Sequence, residues 1–265
     1  MDEALPRWSG GLRVVFGVLG VAIMCFLYLP ILTLIAYSFS ASRSFTFPIT
    51  EFTLGWYAAL ADNEDLLRSV ANSFFVAAGV VPMTLLLGVP AAYGLSRFAF
   101  RGSRMVEQIF LLPLMIPGLI TGLSVLLLLR RFEIGLSLWA VVLAHTVAWL
   151  PIVITQVFAR LRRFDRRYEE ASLDLGAGQL ETFFRITLPN LKNAMIGSAL
   201  LVFILSFDEV AITFLLTATE NTLPMHIWAM LRQGVSPELC AIASLMVAAS
   251  TILVLVGVKM SKDEG

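Results

Sequence analysis

Charge is scarce in this sequence. Only 14% of its 265 residues are Asp, Glu, Lys or Arg, against 58% hydrophobic residues and a mean hydropathy of +0.84. A water-soluble domain carries roughly 25% charged residues, so a surface solvated mainly by water is excluded and lipid must be the principal solvent. Cysteine is nearly absent: Cys25 and Cys240 both fall in or beside apolar runs, which leaves no disulfide framework and no cysteine metal cluster. With two histidines, His145 and His226, no multi-histidine metal site can form. Lysine occurs three times, at Lys192, Lys259 and Lys262, and never directly after Gly, which rules out a Walker A phosphate loop. The 19 basic and 19 acidic residues cancel, and with them any whole-chain attraction to nucleic acid. No catalytic set, metal or cofactor is implied.

What is present is apolar length. A spanning helix needs about 20 mostly apolar residues. Six such runs occur, near 12–38, 68–95, 105–129, 137–159, 192–216 and 238–260. They predict an all-α membrane protein of six transmembrane helices, with residues 1–265 as one domain. The first run follows Arg7 and Arg13 but is far longer than the roughly 7–15 apolar residues of a signal peptide, so it reads as an uncleaved helix. With the N-terminus in the cytoplasm, 14 of the 19 basic residues lie inside and only Arg43, Arg68, Arg130, Arg131 and Arg232 outside. That is the sense required by the positive-inside rule, and it puts both termini in the cytoplasm. Pro30, Pro82, Pro90, Pro113, Pro117 and Pro151 fall within spans, where each bends its helix for packing or for gating. Gly118 and Gly122 form a close-packing pair in the third span.

Two connections are too long for a simple bundle, whose loops usually run about 2–8 residues. The outer one, 39–67, carries Trp56 and Tyr57 and is acidic at Asp62, Glu64 and Asp65. The inner one, 160–191, reads RLRRFDRRYEEASLDLGAGQLETFFRITLPNL. Asp165 is positioned to cap a short helix ending near Leu175, with Gly176 as its C-terminal stop. A second short helix is expected over 179–186, and Pro189 is expected to open the fifth span. On the first helix Tyr168, Ala171, Ser172 and Leu175 share one face, and its small residues suit insertion into a groove on another protein.

Glu170, Ala171 and Ser172, three residues, Gly176, nine residues, then Ile186, Leu188 and Pro189: this spacing resembles the EAA signature of binding-protein-dependent ABC transporter permeases. Ser172 in place of the second Ala is a small-for-small departure. The resemblance implies a type I ABC importer permease fold in the bacterial inner membrane. It also implies a second permease subunit, an ATPase dimer and an extracytoplasmic binding protein as partners. ATP hydrolysis would belong to the separate ATPase, and the loop would serve as its coupling helix through Tyr168, Glu169, Glu170, Ala171, Ser172, Asp174 and Gly176. Trp56-Tyr57 to Asn72-Ser73, Ser206 to Glu209, and Leu223-Pro224 through Gly234 to Glu238 and Ala241 are similar to the spermidine/putrescine subgroup, in particular its second permease. Opine and aminophosphonate permeases share these outer motifs, so the solute stays open between them.

Asp208 and Glu209 fall inside the fifth run. One ionised group at a helix centre costs roughly 2.5–3.5 kcal/mol, so two in succession need a reason. Counted from Lys192 they lie about 6 Å beyond the midpoint, toward the outer side. Ser206, Glu209, Thr213 and Thr217 share a helical stripe, which makes Glu209 the expected wetter carboxylate and Asp208 the expected interface partner. Attraction of an organic cation competes with a plainer reading, a carboxylate satisfied by backbone donors or by an arginine such as Arg232. His145 is expected to bond a carbonyl near the Pro151 kink. Trp139, Trp228 and Tyr57 read as membrane-interface anchors, and Trp228 could also line a vestibule. An intramembrane enzyme would need a nucleophile and base that the sequence lacks. A stand-alone channel or secondary carrier would leave the loop signature idle.

Overall fold

A computed structural model of the chain describes residues 10–43, 45–98 and 101–262. Arg7 and the side chains of Arg13, Lys259 and Lys262 lie outside the description. The secondary structure is helical: α1 (Gly10–Tyr37), α2 (Gly55–Ala61), α3 (Glu64–Arg97), α4 (Ser103–Met115), α5 (Gly118–Arg131), α6 (Leu138–Arg163), α7 (Arg167–Asp174) and α8 (Gln179–Thr182). A π turn, Phe183–Thr187, then leads into α9 (Leu188–Phe207), followed by α10 (Ala211–Leu216), α11 (Leu223–Gln233) and α12 (Pro237–Lys262). The one β contact among the described residues is a bridge between Ser40 and Phe52. Four helices are long and apolar enough to cross a membrane, and the bent pair α4–α5 makes a fifth if it is one span.

The chain forms two compact units. The first comprises the segments up to Asn63 and Met230–Leu253. Its helix α1 is apolar around its circumference and exposed along most of its length, the pattern of a helix that meets lipid rather than water. The connection after α1 is an ordered strap. Trp56 Nε1 donates to the Ser40 carbonyl at 2.8 Å, and Thr53 N donates to Phe39 O at 2.8 Å. Tyr57 OH lies 2.7 Å from Ser38 Oγ and 2.8 Å from Ser244 Oγ, so it ties α2 to α1 and α12. The Tyr57 hydroxyl, expected near the membrane interface, is bonded inside the unit.

The second unit, Glu64–Ala229 with the segment from Val254 on, holds the buried core. Between helices surrounded by lipid there is no hydrophobic driving force, so association rests on close packing of small and branched residues. α3, α6 and α9 meet through Val76, Val80, Val89, Val142, Val153, Val157 and Val202. Gly88 packs so closely that a Cβ there would sit 2.7 Å from Val153 Cγ1.

Two expected spans are not continuous. The third run, 105–129, is α4 and α5, bent by 101° at Ile116–Pro117. Pro82, Pro90, Pro113 and Pro151 stay inside helices, whereas Pro117 is the residue that caps α5 after the break. The fifth run is displaced in the opposite sense. The expected short helix from Gln179 and the expected start at Pro189, which lies in the first turn of α9, are both present, but the two run on through the π turn as one helical span to Phe207. Pro189 has no N–H to donate, and its ring would crowd the carbonyl of an ordinary preceding turn. The chain widens there into the π turn, with Leu188 N donating to Phe183 O, and stays helical.

Candidate functional site

The connection between α6 and α9 supplies the first candidate site. Helix α7 starts one residue later than the sequence suggested: its N-cap is Arg166, while Asp165 Oδ1 accepts from Arg167 N at 3.0 Å. The C-terminal end is as expected. Gly176 has φ +92°, a left-handed conformation that costs a side-chain-bearing residue about 1–2 kcal/mol. Gly176 N donates to Leu173 O at 2.9 Å and Ala177 N to Ser172 O at 3.2 Å, the paired bonds of a Schellman motif. Tyr168, Ala171 and Leu175 are exposed on the shared face, Leu175 by 90%, and Glu170, Asp174 and Gly176 are exposed as well. Ser172 is half-buried, with Oγ 3.0 Å from Thr182 Oγ1.

Glu169 faces the other way. Its side chain is 10% exposed; Oε2 lies 2.7 Å from Arg97 Nε, and Oε1 accepts from Thr187 Oγ1 at 2.6 Å. Glu169, expected among the coupling residues, is turned away from the exposed face, and its carboxylate pins α7 to the end of α3 and to the π turn. Removing one member of a buried ion pair costs about 3–5 kcal/mol, so α7 is held to the helices behind it and does not hang as a free loop. Sequence reading missed Arg97, which it counted only as an inner positive charge. A cavity of about 190 Å³ lies behind α7, lined in part by Tyr93, Arg97, Glu169 and Thr182.

The second candidate site is the break after α9. Asp208 and Glu209 lie between α9 and α10, so the helical stripe through Ser206, Glu209, Thr213 and Thr217 does not exist as one face. The break leaves the first N–H groups of α10 without helical partners, a cost of several kcal/mol each in lipid. Glu209 meets that need: its carboxylate accepts from Ile212 N at 3.0 and 2.9 Å and from Thr213 N at 3.1 Å. Glu209 is therefore the drier carboxylate, its side chain 10% exposed, and Asp208 is the exposed one, the reverse of the expectation.

His145, fully buried on α6, completes this node. Its Nδ1 lies 2.9 Å from Ser206 Oγ, and its Nε2 lies 3.1 Å from Thr213 Oγ1 and 3.4 Å from Glu209 Oε2. The expected carbonyl partner is corrected: the ring bridges the two sides of the break through side chains. Gly118 and Gly122 seat α5 against the same break. A Cβ on Gly118 would lie 3.2 Å from Glu209 Oε1, and one on Gly122 3.1 Å from the Ile212 Cα. The two interrupted helices thus meet at glycines, as the close-packing pair predicted. Ser206 and Thr213 are buried within the node, whereas Trp228 is 49% exposed on α11 and Trp139 stacks edge-on against Phe75 at 5.1 Å.

Residues 84–261 match the family model described as binding-protein-dependent transport system inner membrane component. The chain belongs to that family. The permease is 33% identical over 253 residues to the spermidine/putrescine transport system permease protein PotC of Escherichia coli K12, covering 95% of this chain and 96% of the relative. It is 37% identical over 260 residues to the putrescine transport system permease protein PotI of the same organism, covering 94% of this chain and 90% of the relative. Among solved structures, a chain of a bacterial ABC transporter involved in the import of the acidic polysaccharide alginate superposes with a TM-score of 0.76. At 20% identity, with 96% of this chain and 99% of that one covered, the likeness is one of fold. Family membership makes the permease a multi-pass transport component of the bacterial inner membrane and not an enzyme, in agreement with the loop signature.

Proposed function

We propose that residues 1–265 form one permease domain of an ATP-driven importer for polyamines, crossing the membrane six times with both termini in the cytoplasm. In this reading α4–α5 makes the third crossing, α8 to α10 the fifth and α12 the sixth. The observation that carries the proposal is α7: a capped short helix, exposed on its small-residue face and fixed behind by the Glu169–Arg97 ion pair. That arrangement suits insertion into a cleft of an ATPase subunit, with Tyr168, Glu170, Ala171, Ser172, Asp174 and Gly176 at or beside the contact. Closure of an ATPase dimer would press on α7. Glu169 would carry the displacement to Arg97 and α3 rather than let the loop flex, biasing a two-state rocking of the packed helices.

The partners follow from the same reading: a second, different permease chain, a pair of ATPase subunits and an extracytoplasmic binding protein. The polyamine assignment is supported by the names of both relatives and by an exposed carboxylate at a break inside a span. Asp208 can form a charge-assisted contact with an alkylammonium group, and the exposed Trp228 ring can add a cation–π contact of about 0.5–2 kcal/mol. Ser206, Glu209 and Thr213 shape the wall behind. Losing a hydrogen bond to a charged group costs about 1.5–3 kcal/mol, so Asp208→Asn should lower spermidine and putrescine uptake about tenfold or more. The assembled complex should remain intact by gel filtration. Full uptake by an intact Asp208→Asn complex would remove this residue from the pathway.

A further inference from the structure

The ends of α3 and α6 and the link into α7 enclose a cavity of about 340 Å³, distinct from the one behind α7. Its lining includes three guanidinium groups, Arg97, Arg162 and Arg166, and no carboxylate. Arg97 is balanced by Glu169, but neither Arg162 nor Arg166 makes an ion pair among the described residues. The neighbouring helix-end carbonyls are already served: Arg166 Nη2 donates to Ser96 O at 2.7 Å, and Arg97 Nη1 reaches Leu161 O at 3.5 Å. The Nη2 of Arg97 is buried without an acceptor among the described residues, on a side chain only 9% exposed. A guanidinium offers five N–H donors in a planar fork matched to phosphate oxygens, so this cavity has donors and positive charge in excess of its acceptors. Leu95 and Phe158 also line it, and the Arg162 guanidinium lies 5.9 Å over the Phe158 ring.

We infer that this cavity binds the phosphate of an anionic phospholipid headgroup. The chemistry of the lining selects a phosphate oxyanion. The place of the cavity at the ends of two membrane-crossing helices favours a lipid over a hydrated free phosphate. Basic pockets between membrane helices are suited to such headgroups, each arginine adding about fivefold to the binding constant near an anionic surface. Because the site abuts α7, an occupied headgroup would brace the link between α6 and the coupling helix. Assignment to the inner leaflet rests on the cytoplasmic orientation proposed above, whereas binding itself does not.

The test uses the permease purified with its partner subunits into nanodiscs of phosphatidylcholine with or without phosphatidylglycerol, read by native mass spectrometry. The wild type should retain phosphatidylglycerol in preference to phosphatidylcholine. R162Q and R166Q should each weaken that retention about fivefold. R163Q removes the same charge from a residue that does not line the cavity and should leave retention unchanged, and R162K should fall between R162Q and the wild type. Equal loss in R163Q would mean a diffuse basic surface and would overturn the site, as would equal retention of phosphatidylcholine. Displacement of the lipid by inorganic phosphate would overturn the lipid assignment. Co-purification of the ATPase subunit in the same samples reports on the permease reading separately, so its failure and that of the lipid site are distinguishable.

Discussion

At the scale of single residues, the two buried carboxylates do opposite kinds of work. Glu169 answers a charge: with Arg97 it makes an ion pair shielded from solvent, and Thr187 satisfies its second oxygen. Such pairs are expensive to break singly and far less so to replace together. Arg97→Met or Glu169→Met alone should therefore lower the stability of the purified permease by about 3–5 kcal/mol, and the double substitution should recover much of that loss. A thermal melt of the four proteins in detergent checks this; strictly additive losses would mean that the two groups do not interact. Glu209 answers backbone donors instead. Glu209→Ala leaves the N–H groups of Ile212 and Thr213 without an acceptor, at about 1–3 kcal/mol each, whereas Glu209→Gln keeps an amide oxygen for them. The alanine variant should melt well below the glutamine variant. Equal melting would show that the carboxylate does not cap α10.

At the scale of elements, the short helix α7 was legible in the sequence because everything that defines it is local. A Schellman stop at Gly176, a small-residue face and a fixed interval to Pro189 all lie within some twenty residues of one another. The interruptions at Ile116–Pro117 and at Asp208 were not legible. Hydropathy registers composition, and a broken helix can be as apolar as a straight one. Nor could spacing announce that His145 bridges Ser206 and Thr213, partners 61 and 68 residues distant that meet only through α6 packing. The signal that could have been weighed was Glu209 itself, since a carboxylate three residues before the N–H groups of a second helical turn is a capping arrangement. The stop at Gly176 carries its own prediction. Gly176→Ala forces a side chain into φ +92° at about 1–2 kcal/mol, enough to fray the end of α7 and weaken ATPase-subunit binding about tenfold. Surface titration of the ATPase subunit onto immobilised permease measures it, and unchanged affinity would mean that the docked helix does not need its cap.

At the scale of the whole molecule, the open geometrical question is the path of the chain, and the bent pair α4–α5 decides it. If the pair crosses the membrane despite its 101° bend, three crossings separate the strap from α7; if it re-enters and turns back, only two do. The two cases place the strap and α7 on opposite sides or on the same side. Phe47 in the strap is 89% exposed and Leu175 just after α7 is 90% exposed, so a single cysteine at either position would meet solvent. In a background carrying Cys25→Ala and Cys240→Ala, Phe47→Cys should react with a membrane-impermeant maleimide in intact spheroplasts. Leu175→Cys should react only once the membrane is permeabilised. Labelling of both from outside would mean that α4–α5 does not cross and that α7 cannot reach an intracellular ATPase. The reverse pattern would invert the whole permease. Only opposite sides, with α7 within, allow a motor in the cytoplasm to grip the helix that Glu169 ties to the membrane core.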